Sequence, residues 1–330
     1  YLDLRVDLSK VLFVCTANQT DTIPGPLLDR MEVIQLSGYI ADEKLAIARK
    51  YLLPRQIKRS GLKRNQLRVD TPALRAIIDG YARDPGVRSL DKLVRKLVRK
   101  SAVRVLEEGA DRISIGPGDL EPLLGKATFR DDTPYAKPQP GVVMGLAWTS
   151  MGGAVLYIEA TALPAPRPGF KTTGQLGGVM VESAQIAYTT AQKLCAALPD
   201  QADYFATHAV HLHVPAGATP KDGPSAGITM AAALYTLARG KPIKRGYAMT
   251  GELNLSGHVM PIGGLQEKVI AARRAKLRHI VVPKANEGDF DRLPDHLKKK
   301  ITPHFVETFD EIIALCLPCL LYTSPSPRDC

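Results

Sequence analysis

The stretch from 219 to 230 reads TPKDGPSAGITM. It constrains the fold more than any other, because a Gly-Pro turn delivers Ser225 to the threshold of an Ala-rich helix expected over 226–238. A serine hydroxyl is a weak nucleophile that needs a partner for its proton and donors for the oxyanion it creates. Residues 223–227 spell G-x-S-x-G, the pattern of a nucleophile elbow. That elbow demands an apolar strand running straight into the serine, with an acid and then a histidine following. Here the residues before Ser225 are GATPKDGP, polar and turn-forming, and the strand HLHV ends well upstream. His258 and His279 lie downstream, but nothing marks either as the base.

The other candidate base is an amine, which must be kept from water so that its pKa falls from about 10.4 toward the working pH, each unit costing about 1.4 kcal/mol. Lys268, in GGLQEKVIAARRAK, meets that condition. Its helical neighbours Leu265, Ala271, Ala272 and Ala275 form an apolar face, while Arg273, Arg274 and Lys276 fall on or near the opposite side. The structural alternative is a lysine stem lying along an apolar stripe. The helix after Ser225 would aim unpaired N–H groups and the positive end of its dipole at a developing oxyanion. An ordinary capped helix start is the alternative there.

Along the chain, KVLFVC (10–15) reads as a buried parallel strand. Helices follow over 42–51, limited by Pro54, over 72–81, and from 87 toward Glu108, the last with Leu90, Leu93, Val94, Leu97, Val98 and Val105 as its apolar stripe. This middle region is an α-helical unit ending near Lys126. Strands then flank Gly152-Gly153, PAPRPGFKTTG reads as a loop, 175–198 as a helix and 209–214 as a strand. A Ser256-Gly257 turn joins two short strands, 265–276 is a helix and 278–283 an apolar strand. The Pro/Ser-rich end, 317–330, is expected to be a disordered or foreign tail.

Between Lys44 and Arg104 there are 18 Lys or Arg against 4 Asp, a local net of +14 within a whole-chain charge of +11. Such a segment could meet nucleic acid or nucleotide phosphates, or be a solvated helix face. No apolar run is long enough to span a bilayer, so no membrane insertion is expected. Five cysteines, with Cys316 and Cys319 as a lone C-x-x-C, argue for a reducing compartment and no disulfide scaffold. His211 and His213 share a strand face, yet a zinc site needs a third ligand, and no metal is expected. The opening YLDLRVDLSKVLFVCTAN reads as the middle of a folded domain, so the chain is expected to be a fragment.

The chain closely resembles the C-terminal half of Lon proteases, ATP-dependent serine proteases with a Ser-Lys dyad. HVPAGATPKDGPSAG matches the block around that family's nucleophile, at Ser225, and MTGELNLSGHVMPIGGLQEKVIAA the block carrying its lysine, at Lys268, 43 residues on. YLDLRVDLSKVLFVCTANQTDTIPGPLLDRME and PGVVMGLAWTSMGG are similar to the mitochondrial branch. The resemblance implies a multidomain α/β chain: the C-terminal part of an AAA+ α/β subdomain (1–37), its α-helical lid (38–128) and an α+β Lon-type protease domain (129–316).

It further implies that Thr250 hydrogen-bonds the lysine, that Asn18 is a sensor orienting the attacking water, that Arg30 is an arginine finger and that Arg88 is the second sensor on the lid. Arg88 also opens a helix, where the macrodipole disfavours a cation unless a phosphate arrives. The implied activity is degradation of misfolded or damaged proteins by a homohexamer in the mitochondrial matrix, with ATP and Mg as cofactors and single-stranded DNA as a further partner. The rival function is a basic nucleic-acid-binding accessory with an inert protease fold. Two departures matter. No G-x-x-x-x-G-K-[ST] occurs, so ATP hydrolysis by this chain alone is not expected. Gly178 also stands where the family usually has an acid.

Overall fold

A computed structural model of the chain describes residues 6–17, 23–34, 38–109, 111–129, 135, 137–149, 152–215 and 220–317. Contacts divide the chain into two compact units, Tyr1–Ser37 and Gly38–Cys330. In the first, the short helix α1 (Gly25–Leu28) follows Pro24. The strand expected over 10–15 is not formed: that segment is unpaired and exposed. Among the described residues of this unit no second strand exists to pair with it, and an isolated strand satisfies neither its amides nor its apolar faces.

The second unit opens with helix α2 (Ala41–Ile47), a π turn (Ala48–Leu52) and α3 (Leu53–Arg59). Pro54 does not end this helix as expected. It falls in the first turn of α3, where its missing N–H matters least, and the π turn takes in an extra residue ahead of it, closed by Leu53 N–H to Ala48 O. Buried Lys44, Ala48, Leu52 and Gln56 therefore stay in one line at four-residue spacing. Lys44 donates to the carbonyl of Ala82 at 2.9 Å and to that of Asp84, and its burial pushes the amine below the ordinary lysine value.

Next come β1 (Leu67–Val69), α4 (Thr71–Tyr81), α5 (Arg88–Glu108), β2 (Ile113–Ile115) and α6 (Leu120–Leu124). The apolar stripe of α5 is buried as its period requires, with Leu90, Val94, Leu97 and Val98 inaccessible to solvent. β1 and β2 pair in parallel, a small sheet that the all-helical expectation omitted.

A seven-stranded sheet follows, of order β11-β10-β7-β3-β4-β6-β5. Its strands are β3 (Val142–Thr149), β4 (Gly152–Pro164), β5 (Gly169–Thr173), β6 (His208–His213), β7 (Tyr247–Met249), β10 (His279–Pro283) and β11 (Thr302–Val306). The stretch expected as a loop contains β5, an edge strand; a Pro- and Gly-flanked strand pairing on one side only is tolerated there. Two short strands, β8 (Glu252–Leu253) and β9 (Val259–Met260), make the hairpin expected around Ser256-Gly257.

One face of the large sheet carries α7 (Gly178–Ala196), α9 (Gly227–Arg239) and α13 (Phe309–Cys316), with the short α8 (Tyr204–Thr207) at its edge. The other carries α10 (Leu265–Arg274), followed by α11 (Glu287–Asp291) and α12 (Asp295–Lys298). Helix α9 is buried nearly all round, and Ala184, Ala187 and Ala191 of α7 share its core. No helix is long and apolar enough to cross a membrane among the described residues. The tail from 318, with Cys319, lies outside the described residues; Cys195 and Cys316 are buried free thiols.

Two leucines of α5 provide a test of this packing. Leu97 is 0% and Leu106 82% exposed. In urea melts, Leu97→Ala should cost about 2–5 kcal/mol and Leu106→Ala no more than about 0.5 kcal/mol.

Candidate active site

Ser225 lies half-buried in the connection between β6 and α9. The connection is tied down on its upstream side. Lys221 exchanges backbone bonds with Gln175 (3.0 Å) and Gly177 (2.7 Å), and the Asp222 carboxylate accepts the N–H groups of Met180 and Gly223, both at 2.9 Å. Asp222 thereby caps the first turn of α7, placing negative charge where the helix dipole favours it. Gly178, where the resemblance expects an acid, is exposed in that same turn and has no neighbour a side chain would meet. Gly223 has φ +114°, a conformation open to glycine, and it sets the chain's direction into Pro224 and Ser225.

Downstream, the carbonyl of Ser225 accepts two bonds, from Gly251 N–H at 2.8 Å and from the Thr250 hydroxyl at 3.1 Å. Thr250 follows β7, is wholly buried, and is held to β10 by its N–H on Val281 O at 3.0 Å. Its Oγ1 also accepts from the Lys268 amine at 3.0 Å. A hydroxyl has one proton to give, and here it points to Ser225 O, leaving lone pairs for the amine. The structure thus brings Ser225, Thr250 and Lys268 together through Thr250. Among the described residues, no hydrogen bond joins the Ser225 side chain directly to Lys268; such contacts often tighten only once substrate is bound.

Lys268 is 2% exposed on the core side of α10. Burial pushes its amine down to about 8, with Glu267 beside it pulling weakly the other way. Near that pH the neutral amine carries both N–H donors and a lone pair able to take a proton.

The position of α10 depends on a close approach. A Cβ on Gly153 of β4 would fall 1.8 Å from the carbonyl oxygen of Glu267, the residue before Lys268, so only glycine lets the helix sit this near the sheet. Arg274, at the far end of α10, donates to the carbonyl of the same Gly153 at 2.6 Å.

Only some of the N–H groups at the start of α9 are free to meet an oxyanion. Gly227 N–H is taken by Pro224 O at 3.1 Å and Ile228 N–H by Gly251 O at 3.2 Å. Among the described residues, the N–H groups of Ser225 and Ala226, and that of Thr229 in the first turn of α9, have no acceptor, so free donors sit both at the serine and at the helix start.

The remaining candidates fall elsewhere. His258 is exposed on the β8–β9 hairpin. His279 bonds His304 at 3.0 Å under the ring of Tyr247. His211 and His213 share the Thr173 hydroxyl at 2.8 and 2.7 Å, and no group of three metal-ligating side chains occurs among the described residues. Asn18 lies outside the described residues. Arg30 is exposed just after α1, and Arg88 is exposed at the first position of α5. Sequence reasoning missed Asp222, Gly153 and Arg274, whose partners are distant in the chain.

Comparison with known proteins follows the same lines. Residues 114–318 match the family described as the Lon protease (S16) C-terminal proteolytic domain, and residues 58–113 match the Lon protease AAA+ ATPase lid domain. Lon protease 1 of Syntrophotalea carbinolica is 52% identical over 312 residues, 94% of this chain and 38% of that protein. The mitochondrial Lon protease homolog of Homo sapiens is 47% identical over 327 residues, 96% of this chain and 34% of that protein. The chain therefore spans between a third and two fifths of the length of these relatives. Bacterial and mitochondrial relatives match to a similar degree.

The buried amine and the close approach at Gly153 each carry a prediction. Below pH 8 the lysine is charged both folded and unfolded, and the fold bears the full desolvation penalty. As pH rises from about 8 toward 10.5 the folded form sheds its proton first, so stability rises. Lys268→Met should therefore be about 1–3 kcal/mol more stable than the parent at pH 7 in urea melts, with the gap closing near pH 10. Gly153→Ala must push α10 off β4, and should lower stability in urea melts by about 1–3 kcal/mol.

Proposed function

We propose, from the premise that this chain belongs to the Lon protease family, that it carries the peptide-cleaving centre of an ATP-dependent serine endopeptidase that degrades misfolded or damaged proteins. The observation that carries this reading is the Lys268 amine, buried and hydrogen-bonded to a hydroxyl that also grips the carbonyl of Ser225. Lys268 takes the proton of Ser225 Oγ as that oxygen attacks a peptide carbonyl. The N–H groups of Ser225 and Ala226 receive the oxyanion. Collapse breaks the C–N bond, and the departing amine takes the proton back from Lys268. Water, deprotonated by the same amine, then attacks the ester carbon and releases the acid, returning Ser225 Oγ–H. Thr250 holds the amine in place throughout.

An inert protease fold is disfavoured by the same geometry, because a dry lysine costs stability and serves no packing purpose that a methionine would not serve better. In this reading 1–37 is the end of the AAA+ large subdomain, 38–128 the lid and 129–316 the proteolytic domain. Asn18, Arg30 and Arg88 sense nucleotide bound to a homohexamer in the mitochondrial matrix. The sequence has no phosphate-loop motif, and among the described residues Arg30 and Arg88 are exposed cations. The exposed Lys92, Arg95, Arg99 and Lys100 of α5 would meet single-stranded DNA as a second partner.

Labelling with a fluorophosphonate tests the dyad. Lys268→Ala should slow modification of Ser225 by about a hundred- to ten-thousand-fold, and undiminished labelling would reject the mechanism. Ser225→Ala should abolish ATP-driven cleavage of casein by the whole protein.

A further inference from the structure

Asn286 is 3% exposed and stands immediately before α11, where an asparagine ordinarily caps the helix with its own side chain. It makes no such cap. Its side chain turns instead to the segment that leads into α10. Asn286 Oδ1 accepts Ile262 N–H at 2.9 Å, and its Nδ2 donates to Ile262 O at 3.0 Å and to Asp289 Oδ2 at 2.8 Å. Both backbone groups of Ile262 are thus read by one amide, much as a neighbouring strand would read them, and Asp289 fixes which way the amide faces.

What Ile262 leads to gives this grip its importance. Two glycines follow, and Gly264, with φ +66°, turns the chain into α10. The carbonyl of Gly264 accepts the backbone N–H of Lys268 at 3.1 Å. Two flexible residues therefore separate the clamp from the helix turn that bears the amine. Without it, two glycines would connect to a helix start held only by the contact at Gly153 and the burial of Leu265.

We propose that Asn286 is a positioning residue, which by gripping Ile262 sets where α10 begins and hence where the Lys268 amine meets Thr250. The inference rests on the reading of Ser225 and Lys268 as nucleophile and base. The groups that face the amine are the Thr250 hydroxyl from the end of β7 and, from α10 itself, Glu267. On the neighbouring α11 and α12, Glu287 pairs with Lys284, Asp289 with Arg292 and Asp295 with Lys298, His296 contacts Glu43, and Asp291 is exposed. A shift of α10 would thus act on the amine by admitting water, not by exchanging one charged neighbour for another.

The test is the pH dependence of fluorophosphonate labelling of Ser225 in the full chain, with a thermal melt of each variant. The parent should label with a midpoint at about 8. Asn286→Ala should label about tenfold more slowly at pH 8, with its midpoint moved alkaline by about half a unit or more as the amine becomes hydrated. Should Asn286→Ala fail to fold, the exchange Asn286→Asp with Asp289→Asn decides. That pair keeps volume, keeps an acceptor for Ile262 N–H, and loses the bond to Ile262 O, so a smaller shift in the same direction is expected. The proposal is overturned if a folded variant keeps the parent's rate and midpoint, or if its rate falls only in step with its unfolded fraction while the midpoint stays. In either case slow labelling of Lys268→Ala would leave the dyad standing. Lys268→Ala labelling as fast as the parent would remove both.

Discussion

One hydroxyl organises the centre of this molecule. Thr250 faces an amine on one side and a main-chain carbonyl on the other, and its single proton decides that the carbonyl receives and the amine gives. Because Thr250 is wholly buried, neither contact has water as a substitute, so each partner must be delivered at hydrogen-bond distance by the fold itself. The seven-stranded sheet, the helix over each face and the loop between β6 and α9 can all be understood as meeting that requirement.

The delivery uses three different devices. On the serine side, Asp222 fastens the loop to α7 and Gly251 N–H fastens Ser225 from below. For Thr250, the bond to Val281 continues the β7–β10 pairing one step past the strand. On the lysine side the helix is pressed onto β4 at Gly153, where the absence of a side chain sets the spacing. Each device works over a short distance in space and a long one in sequence. The energetic burden is placed on the amine, whose dryness lowers its proton affinity at the expense of the fold.

Much of this was legible in the chain because it is local. The turn residues before Ser225, the apolar neighbours of Lys268 at helical spacing and the stripe on α5 all express themselves within one or two turns. What was not legible depends on partners far away. PAPRPGFKTTG has the composition of a loop and becomes an edge strand because β6 offers it a ladder. KVLFVC has the composition of a strand and lacks one, because no ladder is offered among the described residues of its unit. DGPSAG looks like a helix cap for α9, yet its aspartate caps α7. There residue type announced a hydrogen-bonding duty and gave no sign of the partner, while Asn286, which the sequence did not single out, holds Ile262.

The π turn at Ala48–Leu52 carries a different kind of consequence. It is one surplus residue held inside a helix, and it alone keeps Lys44 in line with Leu52 and Gln56. Deleting any one of those five positions would leave Pro54 inside a continuous α-helix, which it would kink, and would swing everything ahead of it by about 100°. The ammonium now anchoring the carbonyls of Ala82 and Asp84 would then face another direction, and the stretch that introduces α5 would lose its mooring. This part of the molecule is thus more vulnerable to a change in length than to a change in residue: its reading frame, counted in helical turns, is itself a structural element.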